Sequence, residues 1–242
     1  MRELRSVDLG AYFRAIPLYL RNPQIALAPF VTALVGMLLL MVLSPGSGSF
    51  GALGGGLGSL IVSLLDGFGL GVAVIVADGA WRYGRSSFER GWDEGRRKLG
   101  DILLASLGYN FVLWIANYLG GLLGQFGAIA LELVAAYFFV YAIPAAAIGG
   151  IPGGAALSVS LERVQRSYLN TLLLVVVYGI VYAALPELWA LFAAQFVQNV
   201  TFVSPAVAAQ LLLVLAKAIC AGYVALVMAK AYSNVAFGRS WR

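Results

Sequence analysis

The chain has 242 residues and a net charge of +5; 61% of its residues are hydrophobic and only 11% are charged, whereas an ordinary soluble domain is about 25% charged. Several uninterrupted apolar segments exceed the roughly 18 residues that a helix needs to cross a hydrocarbon core, so the composition predicts an all-α, polytopic membrane protein rather than a soluble domain. The basic residues lie beside these segments, which favours a membrane surface, and not nucleic acid, as their partner.

Six apolar spans follow one another along the chain, and we predict a single integral membrane domain over residues 1–242. The predicted spans are 23–43, 60–81, 102–119, a segment from a turn at 120–127 to about 148, 171–185 and 206–231. We also predict a flexible Gly/Ser-rich connection at 44–59, a kink at Pro144 and a long loop at 186–205.

Three segments with one physical pattern precede the pairs of spans: 9–25, 88–104 and 157–173. Each has apolar residues at its first, fifth and twelfth positions, which fall within about 40° of one another on a helix and form one apolar stripe. Each places an Asx, a preferred helix N-cap, at its fourteenth position: Asn22, Asp101 and Asn170. The pattern predicts three repeated units, about 8–84, 87–152 and 156–235, each an amphipathic surface helix followed by a two-span hairpin.

The basic residues indicate the orientation. In the six-span arrangement every Arg and Lys except Lys217 falls on one side of the membrane, and the loops on the opposite side contain none. By the positive-inside rule, we expect the protein in the cytoplasmic (inner) membrane, with both termini and all three surface helices in the cytoplasm.

Two segments resemble a known family. Residues 144–173, PAAAIGGIPGGAALSVSLERVQRSYLNTLL, and residues 20–29, LRNPQIALAP, resemble the membrane domain found in glycerophosphoryl diester phosphodiesterases and related six-span bacterial proteins. Relatives often carry an acid ahead of the helix where this chain has Gly149 and Gly150. The resemblance implies the fold alone, because none of the 242 residues forms a pattern typical of a soluble phosphodiesterase domain.

The amino-acid inventory limits the chemistry. The chain has no histidine and one cysteine, Cys220, which excludes His/Cys zinc sites, imidazole-ligated haem and a Ser-His-Asp triad. We expect no metal and no cofactor. Ordinary catalytic groups do not occur at a recognisable spacing, so we predict that the protein is not an enzyme.

Three charged residues lie deep in the even-numbered spans: Asp66, Glu132 and Lys217. Each is about 21–24 Å from the basic side at 1.5 Å per residue, so the three share one level in the membrane. Charges there must pair or face water. They form either a structural network that fixes helix register or a proton- or ion-linked site, with Asn110, Asn117 and Gln210 as further polar lining.

A second group of residues is basic and lies around the second surface helix. Its members are Arg82, Arg85, Arg90, Arg96, Arg97 and Lys98. This cluster is denser than orientation requires and predicts contact with anionic lipid headgroups. Two functions follow: a scaffold or accessory subunit of a larger membrane complex or homo-oligomer that contacts anionic lipid, or a small transporter or channel whose path passes the intramembrane charges.

Overall fold

The computed structural model describes residues 9–43, 49–197 and 204–237, and every regular element among them is helical. The helices are α1 (Leu9–Arg21), α2 (Leu27–Leu43), α3 (Ser49–Tyr83), α4 (Phe88–Arg97), α5 (Leu99–Gly121), α6 (Gln125–Phe139), α7 (Ala142–Ala147), α8 (Ala156–Arg166), α9 (Tyr168–Tyr178), α10 (Leu185–Val197) and α11 (Pro205–Phe237). Short 3₁₀ turns at Pro23–Ala26 and Gly153–Ala155 precede α2 and α8, and a π-helical turn at Gly179–Ala184 joins α9 to α10.

Within the described residues, six helical segments are long and apolar enough to cross a membrane. They are Pro23–Val42, Gly58–Tyr83, Leu99–Gly121, Gln125–Ala147, Tyr168–Phe192 and Val207–Ala236. The predicted all-α, six-span membrane architecture is therefore confirmed. The short helices α1, α4 and α8 each precede one pair of spans, and the threefold repeat stays a prediction.

The even-numbered spans form the core of the bundle. Uninterrupted runs of buried residues occur at 67–77 in α3, at 140–147 around α7 and at 224–230 in α11. Glycines let α3 approach its neighbours closely: a Cβ at Gly71 would lie 2.6 Å from the Ile102 side chain. Close approach through small residues drives helix association in membranes, where lipid is as apolar as leucine. The odd-numbered spans therefore surround a core made of α3, α7 and α11.

Helix α1 packs along α11 through two tyrosines. The Tyr19 hydroxyl donates to the Ile219 carbonyl at 3.0 Å, and the Tyr223 hydroxyl donates to the Tyr12 carbonyl at 3.1 Å. Burial raises the pKa of Tyr19 to about 12, so its hydroxyl keeps the proton that it donates.

We call the end of the bundle that carries α1, α4 and α8 the basic end, and the other end the opposite end.

The predicted loop at 186–205 is wrong over its first part, because α10 continues the fifth span as a helix to Val197. A proline has no N–H to donate and clashes with the carbonyl four residues earlier, which normally ends a helix. Here the π-helical turn directly before α10 widens the backbone ahead of Pro186. The predicted connection at 44–59 is also helical from Ser49 onward, and residues 44–48 lie outside the described part of the chain.

The predicted kink at Pro144 is a complete break between α6 and α7, located four residues earlier. Pro144 cannot donate to the Val140 carbonyl, so the helix opens at that point. The fully buried Ser160 of α8 closes the gap: its hydroxyl donates to the Phe138 carbonyl at 2.8 Å and accepts from the Tyr141 N–H at 3.2 Å. One side chain therefore satisfies two backbone groups beside the break, the Phe138 carbonyl and the Tyr141 N–H.

We expect Ser160→Ala to lower the free energy of unfolding by about 2 kcal/mol, because both backbone groups lose a partner in a buried place. Unfolding by denaturant in detergent micelles measures the change. Ser158→Ala, in the same helix, is the control: Ser158 is exposed, and its bond within the described residues is to the Ala155 carbonyl of its own chain segment. Equal stability of the two variants would contradict the role of Ser160 at the break.

The prediction that the three Asx residues cap the spans is confirmed in position for Asn22, which is the N-cap of the 3₁₀ turn that opens the first span, and is wrong for Asp101 and Asn170. Asn22 precedes the first 3₁₀ turn without a capping bond from its side chain, and the caps of α5 and α9 are Lys98 and Ser167. Asn22 instead bonds to the connection between α3 and α4, and Asp101 accepts from the Gly153 N–H at 2.9 Å. These two side chains join separate parts of the basic end.

Candidate functional site

A cavity of about 510 Å³ lies at the basic end, between the last turns of α3 and the first turns of α4. Two local features produce it. Gly84 adopts a positive φ of 71°, which only glycine takes up easily, and so turns the chain away from α3. Ser87 then caps α4, with its hydroxyl accepting from the Arg90 N–H at 3.4 Å. The turn and the cap hold α4 across the end of α3, and the arginines on both sides face one space.

Helix α4 is anchored to α3 through its apolar side. The Trp92 ring meets the Phe68 ring edge to face at 5.7 Å and the Phe88 ring at 5.6 Å. Gly91 and Gly95 are buried, and a Cβ at Gly95 would lie 2.5 Å from the Val72 side chain. The remaining side of α4, with its charged residues, faces outward. The amphipathic pattern of the sequence thus fixes the position of the cavity wall.

The six predicted lipid-contacting residues divide into three groups. Arg82 is paired with Asp78 at 2.7 Å, and Lys98 with Glu94 at 2.7 Å, while Lys98 also donates to the Ala147 carbonyl at 2.7 Å. Arg85 and Arg90 line the cavity and form no ion pair with any described residue. The third group, Arg96 and Arg97, is exposed on α4 and does not line the cavity.

We call the cavity with these residues the arginine pocket. Asp78 and Glu94 also line it, but each already holds a cation of the protein. The uncompensated charge in the pocket therefore comes from Arg85 and Arg90. Two guanidinium groups facing one space suit an oxyanion, because a guanidinium binds phosphate or carboxylate oxygens through two parallel N–H bonds.

The intramembrane charges lie in the opposite half of the bundle. Lys217 forms an ion pair with Glu187 of α10, with 3.5 Å between Nζ and Oε1. Asp66 interacts electrostatically with Lys217, Tyr178 and Tyr182. The structure thus brings Asp66 and Lys217 near each other, as their shared level predicts. It also places a second carboxylate, that of Glu187, beside Lys217.

Glu132 lies apart from this pair. Its carboxylate accepts a hydrogen bond from the Asn117 amide, and it interacts electrostatically with Tyr109. Tyr109 in turn interacts electrostatically with Tyr178, and both tyrosines line one small cavity. The two tyrosines therefore connect the surroundings of Glu132 with those of Asp66.

Two of the predicted polar residues take no part in these contacts. Asn110 bonds within its own helix, to the carbonyl and hydroxyl of Ser106 at 2.9 and 3.2 Å. Gln210 is exposed on α11. Sequence reasoning missed Glu187, because Pro186 suggested a loop, and missed Tyr109, Tyr178 and Tyr182. A signal was present: Tyr178 and Tyr182 are four residues apart in a span, on one helix face, and their rings stack at 5.0 Å.

The described residues contain no group of three His, Cys, Asp or Glu side chains able to hold a metal ion. Comparison with models of protein families, with curated proteins and with solved structures finds no match to this chain. The resemblance to the phosphodiesterase membrane domain therefore stays a prediction, and the function is argued from the sites.

Proposed function

We propose that this multi-pass membrane protein binds an anionic phospholipid headgroup in the arginine pocket and acts, without catalysis, as a scaffold or accessory subunit of a membrane complex. The observation that carries this proposal is the pair Arg85 and Arg90, two arginines that face one cavity of about 510 Å³ and have no protein partner in the described chain. A cavity with a few convergent polar groups is the first place to expect a ligand.

The depth of the pocket supports a lipid as the ligand. Arg82 and Tyr83 are the last residues of the second span, Gly58–Tyr83, and both line the pocket. A group at the end of a span lies at the level of the phospholipid headgroups. Apolar residues of α3, Ile75 and Val76, line the deeper part. A phosphate near the arginines, above a floor formed by these two buried apolar side chains, matches this arrangement.

The distribution of charge supports a cytoplasmic pocket. The described arginines and all described lysines except Lys217 belong to α1, α4, α8, their connections and the ends of α3 and α11. By the positive-inside rule this end faces the cytoplasm, where the leaflet is rich in anionic lipid. Each arginine near such a surface contributes about 1 kcal/mol to binding. We therefore propose the cytoplasmic membrane as the location, with both termini inside.

The test compares two double variants that remove the same charge from neighbouring positions. Arg85→Gln with Arg90→Gln removes the uncompensated pair, and we expect binding of an anionic phospholipid to weaken by about tenfold or more. Arg96→Gln with Arg97→Gln removes two exposed charges outside the pocket and should change binding by less than about threefold. Native mass spectrometry of the protein in nanodiscs of mixed phosphatidylglycerol and phosphatidylcholine counts the retained lipids.

Two results would contradict the proposal. If both double variants lose lipid equally, diffuse surface charge, and not the pocket, holds it. If neither loses lipid, the pocket has a different ligand. Elution as a single particle and unchanged thermal unfolding exclude loss of fold as the cause, since all four side chains are exposed.

The alternative function, a small-solute or ion transporter, depends on the charged residues of the opposite half. Those residues do not contribute to the arginine pocket. The two functions are therefore compatible, and each has its own test.

A further inference from the structure

A small cavity lies at the centre of the bundle, where five of the six spans meet. Its walls include Leu70 of α3, Tyr109 of α5, Phe139 of α6, Tyr178 of α9 and Met228 of α11. Its volume is about 10 Å³, which is at the lower limit for a single water molecule. The centre is therefore nearly closed, and Tyr109 and Tyr178 contribute the only hydroxyl groups among the residues that line it.

The intramembrane charges lie on the helix faces that line this cavity. Asp66 precedes Leu70 by four residues, and at about 100° per residue the two fall within about 40° of each other. Glu132 precedes Phe139 by seven residues and Lys217 precedes Met228 by eleven, so each of these pairs falls within about 20°. All three charged residues thus lie above the cavity on its own walls, toward the opposite end.

Two helix interruptions border the same cavity. The break between α6 and α7 follows Phe139 directly, and the π-helical turn Gly179–Ala184 follows Tyr178 directly. Irregular backbone at membrane depth is tolerated where it is buried in protein or lines water. Interrupted spans near the middle of the membrane are typical of ion and substrate sites in transporters, and π-turns are frequent at functional sites.

The opposite half is open around these residues. The side chains of Lys217 and Glu187 are 47% and 66% exposed although both lie within spans. Lys217 belongs to the inward face of α11, because Val214 and Ala221, on either side of it along that face, are buried. Charges in hydrocarbon are costly, so an exposed charge on an inward face requires water beside it. Asp66, Glu132 and Glu187 against Lys217 leave an excess of negative charge, which suits a cation.

We propose that the opposite half encloses a water-filled vestibule through which a small monovalent cation, with the proton as the smallest case, reaches the centre of the bundle. The tyrosine pair Tyr109 and Tyr178, which lines the nearly closed central cavity, closes this path. Asp66, which interacts with Tyr178, and Glu132, which interacts with Tyr109, attract the cation above the tyrosine pair. The positive charge of Lys217 is paired with Glu187, so the net charge of these four residues stays negative. The described structure is the closed state.

The experiment measures flux in liposomes that contain the purified full-length protein, with separate dyes for Na⁺, K⁺ and pH and with gradients imposed in both directions. We expect the wild type to carry one of these three ions faster than empty liposomes. Asp66→Asn should lower that rate by about tenfold, because it removes a charge that attracts the ion. Glu162→Gln, which removes an exposed acid of α8 at the basic end, is the matched control and should not change the rate.

A second variant tests the closure. Tyr109→Phe removes a hydroxyl from the Tyr109–Tyr178 pair while keeping the ring, and we expect the rate to rise. If Asp66→Asn does not elute as a folded particle, Glu132→Gln takes its place. No flux of any of the three ions in the wild type, or equal flux in the wild type and the carboxylate variant, overturns the proposal. The headgroup variant Arg85→Gln with Arg90→Gln should keep the flux, so the two proposals fail separately.

Discussion

Gly120→Ala is expected to lower the free energy of unfolding by about 3 kcal/mol, the upper part of the range for overpacked sites. Gly120 lies where α5 turns into α6, and a Cβ there would lie 2.5 Å from the Ala128 Cα and 2.5 Å from the Gly127 carbonyl oxygen. Both are backbone atoms of the facing helix. Because backbone cannot rotate aside as a side chain can, the hairpin must open to admit one methyl group.

The neighbouring residue provides the control. A Cβ at Gly121 would meet nothing within 4 Å, and alanine favours a helix over glycine by up to about 1 kcal/mol. Gly121→Ala should therefore leave stability unchanged or raise it slightly. Denaturant unfolding in detergent micelles, followed by tryptophan fluorescence, compares the two variants. Equal stability would show that α5 and α6 separate without cost at this point.

The hairpin also carries part of the candidate path. Asn117 and Glu132, whose side chains are hydrogen-bonded, lie on its two arms. A hairpin opened by Gly120→Ala would separate them, so this variant should also change ion flux if the central path exists. Gly121→Ala should not. The stability effect is expected whatever the function, whereas the flux effect depends on the path.

The spans could be predicted from the sequence, but the structure of the segments that join them could not. A span is recognised from the length of its apolar segment, because a helix must cross a core of fixed thickness. Whether a helix ends at Pro186 depends on whether the backbone before the proline can widen. The π-helical turn Gly179–Ala184 widens it, and such a turn has no sequence pattern of its own. For this reason Glu187 was assigned to a loop.

The arginine pocket was predictable in part. The basic cluster was recognised from its density, and its internal pairs were visible as well: Asp78 with Arg82 and Glu94 with Lys98 are each four residues apart, a spacing that brings helix side chains together. Removing these pairs from the cluster leaves Arg85 and Arg90 with the exposed arginines of α4. Only the position of α4 across α3 distinguishes the pocket residues from the exposed ones, and that depends on tertiary packing.

Asn22 and Asn170 differ in their burial and hydrogen bonds, and this difference predicts the second large effect on stability. The two residues occupy the same place in the sequence pattern, yet Asn22 is 3% exposed and Asn170 is only partly buried. Asn22 accepts from the Ser86 N–H at 2.8 Å and donates to the Leu18 carbonyl at 2.9 Å. The described bond of Asn170 is to the Ser167 hydroxyl at 2.8 Å in its own helix.

We expect Asn22→Ala to lower the free energy of unfolding by about 3 kcal/mol, because it removes a buried side chain and leaves partly buried backbone groups of two separate segments without its hydrogen bonds. Asn170→Ala should cost less than about 1 kcal/mol, because it breaks one local bond between side chains. Thermal unfolding of the two variants in the same detergent gives the comparison. Similar losses would indicate that both Asx residues act through their own helices, as the repeat pattern suggests.

The Asn22 variant also bears on the arginine pocket. Asn22 bonds to Gly84 and Ser86, the residues on either side of Arg85. Without these bonds the described attachment of this connection to the segment after α1 is reduced to Gln24, which donates to Ser86, and Arg85 is held less firmly. Asn22→Ala should therefore weaken headgroup binding as well as stability, although it removes no charge. Asn170→Ala should do neither, and retention of lipid by Asn22→Ala would show that the charge of Arg85, and not its placement, determines binding.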